Sequence, residues 1–160
     1  MVADPRKTIP MLSQKAKYAL RALLVLAAQG DDEPMLISEI AERHNLPKKF
    51  LEQILLDLKH HGLVQSRRGR SGGYALLRPA SEISFGQVVR IIDGPLAPLP
   101  CLSKMAYRRC EDCSGEENCA IRRVFARTHQ LTTAILDRTT LADALKGRPL
   151  LPDVAQEGAA

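Results

Sequence analysis

The chain has 160 residues, 45% of them hydrophobic and only 4% aromatic, with 23 basic against 18 acidic residues and a net charge of +5. That length suits one compact domain, or a small domain with an extension, and the hydrophobic share is ordinary for a globular protein. The longest unbroken apolar run, Ala22–Ala28, is far too short to span a bilayer, and no membrane partner is expected; the basic balance permits nucleic acid or an anionic membrane surface and proves neither.

Residues 1–11 are polar, with Asp4 and two prolines, and lack the apolar segment of a secretory signal. They are expected to fray, and the chain is expected to be cytoplasmic. Ser13 is the expected N-cap of a helix over "QKAKYALRALLVLAAQ", which Gly30 stops. That helix is apolar on more than one face, which makes it a central core helix. A short helix over "SEIAERH" follows, with Ser38 as its expected cap. After "NLP", with Pro47 in a first-turn position, comes a longer helix "KKFLEQILLDLKHH" closed by Gly62. Phe50, Leu51, Ile54, Leu55 and Leu58 form its apolar stripe. Two helices joined by so short a turn make a helix-turn-helix.

Leu63–Arg67 and Tyr74–Leu77 read as strands, with "GRSGG" between them supplying turn chemistry; Gly72 and Gly73 are turn residues. A helix-turn-helix followed by a hairpin is the order of a winged helix. Ser84 and Gln87 are expected to form a capping box for "FGQVVRIID", Gly94 ends it, and "GPLAPLP" reads as a stiff linker. A long helix is expected from about Ala120 to Arg138, with Ile121, Val124, Phe125, Thr128, Leu131 and Ile135 on one stripe. Thr140 caps a short "LADAL" turn, and the tail from Lys146 is expected to be disordered. The predicted fold is thus mainly α with a small β-hairpin wing.

Residues 44–78 hold seven basic side chains (Lys48, Lys49, Lys59, Arg67, Arg68, Arg70, Arg78) and two acidic ones (Glu52, Asp57). The surplus of five equals that of the whole chain, so the positive charge sits on the helix-turn-helix and wing. This is the electrostatic footprint of a protein that binds the phosphate backbone of duplex DNA. Lys48, Lys49, Glu52 and Gln53 would face base edges and nearby phosphates; a glutamate accepts from cytosine and a glutamine pairs with adenine. At the hairpin tip stand Arg67, Arg68, Arg70 and Ser71, with Arg68 suited to a narrow minor groove.

All four cysteines lie within nineteen residues, as Cys101-x8-Cys110-x2-Cys113-x5-Cys119. In a reducing compartment such clustering points to metal binding or redox chemistry rather than structural disulfides. A four-cysteine zinc site and an iron–sulphur cluster both fit this spacing. A catalytic dithiol at Cys110 and Cys113 lacks the βαβ setting it would need. Arg108, Arg109, Arg122 and Arg123 flank the segment and would offset thiolate charge. The histidines, His44, His60, His61 and His129, are scattered along helices, and no nucleotide-binding glycine loop, paired carboxylates or nucleophile elbow is present, so neither an enzyme nor a small-molecule substrate is expected.

The stretches "LSQKAKYALRALLVLA", "ISEIAERHNLPKKFLEQILLDLKHHGLVQSRRGRSGGYAL" and "ISFGQVVRIIDG", followed by the cysteines, resemble the Rrf2 family of bacterial winged-helix repressors over about residues 11–145. The resemblance implies a homodimer paired through the long C-terminal helix, a pseudo-palindromic operator and an iron–sulphur cluster held in the loop before that helix. By position Cys101, Cys113 and Cys119 match the family's three cluster cysteines, Glu52 a base-reading glutamate and Arg68 the wing arginine. Two fourth-ligand positions known in the family are here Arg122 and the acid-free stretch Lys15–Tyr18. Cys110 is an addition, read as the fourth ligand or as a resolving thiol. The rival readings are the same repressor with zinc or bare thiols sensing oxidants, a thiol oxidoreductase, and an adaptor whose basic wing meets another acidic partner.

Overall fold

A computed structural model of the protein describes residues 12–30, 33–69 and 72–147. The expectations for residues 1–11 and for the tail beyond Gly147 lie outside the described residues. In chain order the elements are α1 (Gln14–Gln29), α2 (Ile37–Arg43), α3 (Lys48–His60), β1 (Val64–Arg67), β2 (Gly73–Leu76), α4 (Phe85–Asp93), α5 (Ala120–Arg138) and α6 (Leu141–Leu145), with 3-10 turns at Ala80–Glu82 and Pro100–Leu102.

Ser13 caps α1 as its residue type predicts: its hydroxyl accepts from the Ala16 N–H at 3.0 Å. Ala16, Ala19, Leu20, Ala22, Leu23, Val25 and Leu26 are all buried, so α1 is covered on more than one side and forms the centre of the core. It touches α2, α3, α4, α6 and β2. Asp93, the last residue of α4, takes the Ser13 backbone N–H at 2.9 Å and its hydroxyl as well, pinning the start of α1 to the end of α4.

Two caps differ from the sequence reading. The helix α2 begins at Ile37, and Ser38 sits inside its first turn; the Glu39 carboxylate instead accepts from the Leu36 N–H at 2.9 Å, satisfying an otherwise orphaned donor. Pro47 stands at the N-cap of α3, one residue before the first turn. The α2–α3 turn is made by Asn45 in the left-handed region (φ 50°), which lets the Leu46 N–H reach the Ala41 carbonyl at 2.8 Å and buries Leu46. Leu51, Ile54, Leu55 and Leu58 of α3 are buried as expected. Phe50 is not: it lies at the edge, 38% exposed, with its ring edge-on to Tyr18 at 5.7 Å.

The strands pair antiparallel, Val64 with Leu76 through Arg67 with Gly73, one residue offset at three ends from the predicted runs, so that Gly73 belongs to β2 and not to the turn. A third segment joins them. Met35 and Tyr74 exchange two backbone hydrogen bonds of 2.8 Å, so the loop before α2 lines the outer edge of β2. Gly73 makes this approach possible. Its φ is +148°, and a β-carbon there would meet the Met35 carbonyl oxygen at 2.4 Å.

"GPLAPLP" is more than a spacer: Leu96 packs on the core, and residues 94–98 wall an apolar groove of about 540 Å³ between α1, α4 and α5. The helix α5 contains no buried residue; Ile121, Val124, Phe125 and Leu131 of its predicted stripe are exposed. Near its end Asp137 receives a two-pronged ion pair from Arg90 of α4, at 2.6 and 2.9 Å. Gly86 leaves room for it, since a β-carbon would lie 2.0 Å from an Asp137 oxygen. The chain then returns to the first body. Thr140 and Asp143 form a capping box for α6, Thr139 and Leu141 bond to Phe85 and Ile83, and Leu141 is fully buried in the core.

Gly73→Ala is expected to lower stability by about 1–3 kcal/mol, through positive-φ strain and loss of the Met35 bridge. Thermal unfolding of the variant beside the parent tests this, and an unchanged midpoint would remove the close approach from the account.

Candidate DNA-binding surface and cysteine loop

The first two turns of α3 project from the body because the opposite face is the apolar stripe. Lys48, Lys49, Glu52 and Gln53 are all exposed there. Arg67 and Arg68 are exposed at the end of β1 and in the turn beyond it; Arg70 and Ser71 lie outside the described residues. Lys59 near the end of α3 donates to the Ser66 hydroxyl of β1 at 2.7 Å, so helix and wing are joined by a polar strut as well as by the buried Leu63 and Val64.

Gln53 is more constrained than its sequence position suggests. Its amide donates to Asp57 at 3.0 Å, and the other Asp57 oxygen takes the Lys15 ammonium of α1 at 2.7 Å. This Lys15–Asp57–Gln53 chain holds α3 at a fixed rotation against α1. The Lys15 hydrogen bond holds the Asp57 carboxyl below its ordinary value, outweighing the opposing effect of partial burial, with Gln53 adding to it. Sequence periodicity gave no sign of this link, because Lys15 and Asp57 are 42 residues apart.

In the cysteine segment the Pro100–Leu102 turn buries Cys101, which is 7% exposed. Ser103 accepts from the Ala106 N–H at 2.9 Å, and the Arg108 N–H returns to the Pro100 carbonyl at 3.2 Å. Residues 108–110 are thereby folded back beside Cys101. Cys110 is exposed, while Cys113 and Cys119 are half-buried. Cys119 is the N-cap of α5, its sulphur accepting from the Arg122 N–H at 3.4 Å. All four cysteines line one cavity of about 280 Å³, together with Leu99, Ile121, Asp112 and Glu116.

Two of the flanking arginines have partners within the loop. Arg109 donates to the Cys113 carbonyl at 3.0 Å, and Cys113 raises its pKa above the ordinary guanidinium value. Arg122 lies 3.5 Å from Glu116. Glu116, which the sequence reading passed over, also accepts from the Tyr107 hydroxyl, an interaction that pushes the phenol pKa up. Tyr107, Glu116 and Arg122 thus clasp the two ends of the loop. Loss of solvation, followed by the negative charge of Cys101 and Cys113, pushes the Cys110 thiol up.

Among the described residues no three Cys, His, Asp or Glu side chains gather closely enough to hold a single metal ion. The donor set suits a thiophilic group in character, four cysteines on one partly apolar cavity, without a prebuilt single-ion tetrahedron. No helix among the described residues is long and apolar enough to cross a membrane.

The sequence pattern of a family described as "Rrf2: Iron-dependent Transcriptional regulator" matches residues 12–147. The chain belongs to the Rrf2 family. An rrf2-like HTH-type transcriptional regulator of Rhodobacter capsulatus is 52% identical over 138 residues, covering 84% of this chain and 92% of that protein. The HTH-type transcriptional regulator IscR of Yersinia enterocolitica is 31% identical, covering 88% of this chain and 82% of its own length. Among solved structures, the B. subtilis global cysteine regulator CymR superposes with a TM-score of 0.72 at 30% identity, over 86% of this chain and 98% of CymR. This Rrf2 protein is accordingly a DNA-binding transcriptional regulator with a winged-helix fold, and the relatives it matches are regulators rather than enzymes.

The Asp57 shift fixes the sign of one pH effect. A carboxyl lowered below its ordinary value of 3.8 contributes stability that is whole above that range and fades as pH falls through the lowered value. Asp57→Asn should therefore cost about 0.5 kcal/mol at neutral pH, the scale of a solvent-screened pair, and the difference from the parent should shrink below about pH 4. Paired chemical denaturation curves across that range check it; a gap that widens in acid would contradict the assignment.

Proposed function

We propose that this Rrf2 regulator is a homodimeric repressor that reads a pseudo-palindromic operator, with residues 12–94 as the DNA-binding domain, 95–119 as a sensing loop and 120–145 as the pairing unit. The observation that carries the DNA-reading surface is the co-location of the chain's charge surplus with the exposed start of α3 and the wing. In this reading Lys48 and Lys49 contact phosphates and Glu52 and Gln53 reach base edges, with Gln53 aimed by Asp57. Arg67 and Arg68, with Arg70 and Ser71, carry the wing into the neighbouring groove. The dimer rests on the exposed stripe of α5, whose Ile121, Val124, Phe125 and Leu131 have no cover within the chain's own core. Work in the cytoplasm follows from the same role.

The sensing element in this reading is an iron–sulphur cluster held by Cys101, Cys113 and Cys119, with Cys110 as fourth ligand. A bound cluster supplies a redox-, oxygen- or nitric-oxide-sensitive group whose loss changes the loop's preferred conformation. Support comes from four cysteines that line one cavity. The path to DNA is short: Cys119 caps α5, α5 grips α4 through Arg90–Asp137, α4 holds α1 through Asp93–Ser13, and α1 holds α3 through Lys15–Asp57. Zinc, or bare thiols acting as a redox switch, is the second reading, favoured by the fold-back that sets Cys110 beside Cys101.

Arg68→Ala should weaken binding to every duplex and lower the slope of log affinity against log salt by about 1, whereas Glu52→Ala should relax the preference for operator over unrelated DNA. Fluorescence anisotropy at several salt concentrations separates the two, and identical behaviour of both variants would count against the division of roles. Iron, acid-labile sulphide and zinc in anaerobically purified protein are expected in a pattern of iron with sulphide, lost in Cys113→Ala; stoichiometric zinc that survives reconstitution with iron and sulphide would replace the cluster reading.

A further inference from the structure

The thiols in the cavity are not equivalent, and their inequality follows from the backbone. The Pro100–Leu102 turn and the Arg108–Pro100 hydrogen bond make a tight excursion that returns the segment leading to Cys110 to the turn that holds Cys101. Both residues line the same cavity of about 280 Å³. One is buried at 7% exposure and the other is open to solvent. Cys113, whose N–H bonds the Cys110 carbonyl at 3.3 Å, and Cys119, whose sulphur accepts from the first turn of α5, line the same cavity but are both half-buried. An exposed thiol that can meet an oxidant, folded back beside a buried thiol that can resolve it, is the arrangement a reversible disulfide requires, and the raised Cys110 pKa makes its oxidation slow.

We propose that Cys101 and Cys110 form a redox-reversible disulfide, with hydroperoxides as the oxidant class. The inference rests on reading residues 101–119 as the sensing loop and names the thiol pair through which that loop is oxidised. In the first step the Cys110 sulphur bonds to the near oxygen of the hydroperoxide, the O–O bond breaks, and the thiol proton leaves with the alcohol or water released. Cys110 is then a sulphenic acid, oxidised by two electrons, and the peroxide is reduced by two. In the second step the Cys101 sulphur attacks the Cys110 sulphur, the S–O bond breaks, and the oxygen departs as water with the Cys101 proton. No further oxidant is needed, and a dithiol reverses the change by exchange.

The consequence is specific to this chain. Cys101 is one of the three positions that match the family's cluster cysteines, and Cys110 is the added one. Closing the bond removes Cys101 from the thiols on offer to a metal, and tightens an excursion that the Ser103 and Arg108 hydrogen bonds already hold. Cys113 and Cys119 stay reduced.

The test uses the full chain stripped of metal, exposed to hydrogen peroxide, blocked with N-ethylmaleimide and cut with trypsin and a glutamyl endopeptidase. These cuts separate residues 91–104, which carry Cys101, from residues 110–111, which carry Cys110. The expected product is those two fragments joined, sensitive to dithiothreitol, with Cys113 and Cys119 alkylated. Cys110→Ser, at an exposed position that leaves the fold alone, should abolish the link, and Cys113→Ser should retain it. A bond between Cys110 and Cys113 or between Cys113 and Cys119, or four thiols that alkylate in full, overturns the proposal. Metal content and operator affinity distinguish this from the parent reading. A cross-link in a chain that takes up no iron or sulphide supports the disulfide and sinks the cluster. A cross-link that leaves operator affinity unchanged supports the disulfide and sinks the sensing role of the loop.

Discussion

The burial of α1 on more than one side is the constraint from which the rest of the molecule takes its geometry. A helix with Ala16, Ala19 and Ala22 alternating with Leu23, Val25 and Leu26 offers close approach at the alanines and bulk at the larger residues, so several elements can pack on it at once. The helix α3, the wing, α4 and α6 are all set by where they meet this one rod. Polar links at its first turn, Ser13 to Asp93 and Lys15 to Asp57, then fix rotation and register that apolar packing leaves loose. A contact of this kind adds little stability when exposed; its value lies in orientation.

The helices were legible because their signals are local. Ser13, Gly30, Gly62, Gly94 and Thr140 announce ends through chemistry that acts within four residues, and the long helix from Ala120 to Arg138 shows its stripe in the sequence itself. Where the reading departed, a more distant or less common partner decided. Ser38 is a better capping residue than Leu36 in isolation, yet the Glu39 carboxylate reached back to the Leu36 N–H and shifted the start of α2 by one residue. Phe50 keeps the helical period of the stripe but meets Tyr18 at the rim instead of the core. Met35 gave no strand signal because an isolated bridge needs only one residue in extended form.

The exposure of the basic start of α3 and of the wing was readable as a charge surplus, since it depends on residue type and rough location. The loop was readable only as an inventory. Spacing showed that four thiols are near one another, and not that a backbone fold-back divides them into a buried member, an exposed member and two flanking ones. Nor did it single out Glu116, whose importance comes from Tyr107 and Arg122 converging on it. An acid in a loop has no periodicity to betray it. Of the arginines around the cysteines, Arg122 faces the Glu116 carboxylate, while Arg109 bonds the Cys113 carbonyl and has its pKa raised by the Cys113 side chain.

The bridge between Met35 and Tyr74 has a bearing on solubility as well as on shape. A two-stranded hairpin presents two unsatisfied backbone edges, each able to recruit a strand from another molecule. Here the edge of β2 is occupied at Tyr74 by a segment of the same chain, while β1 carries the cationic Arg67 and leads into Arg68. One side is closed by self-pairing and the other ends in like-charge repulsion between copies. A regulator whose protomers crowd along the same polyanion brings its wings to high local concentration, and this hairpin carries a backbone safeguard against polymerising there.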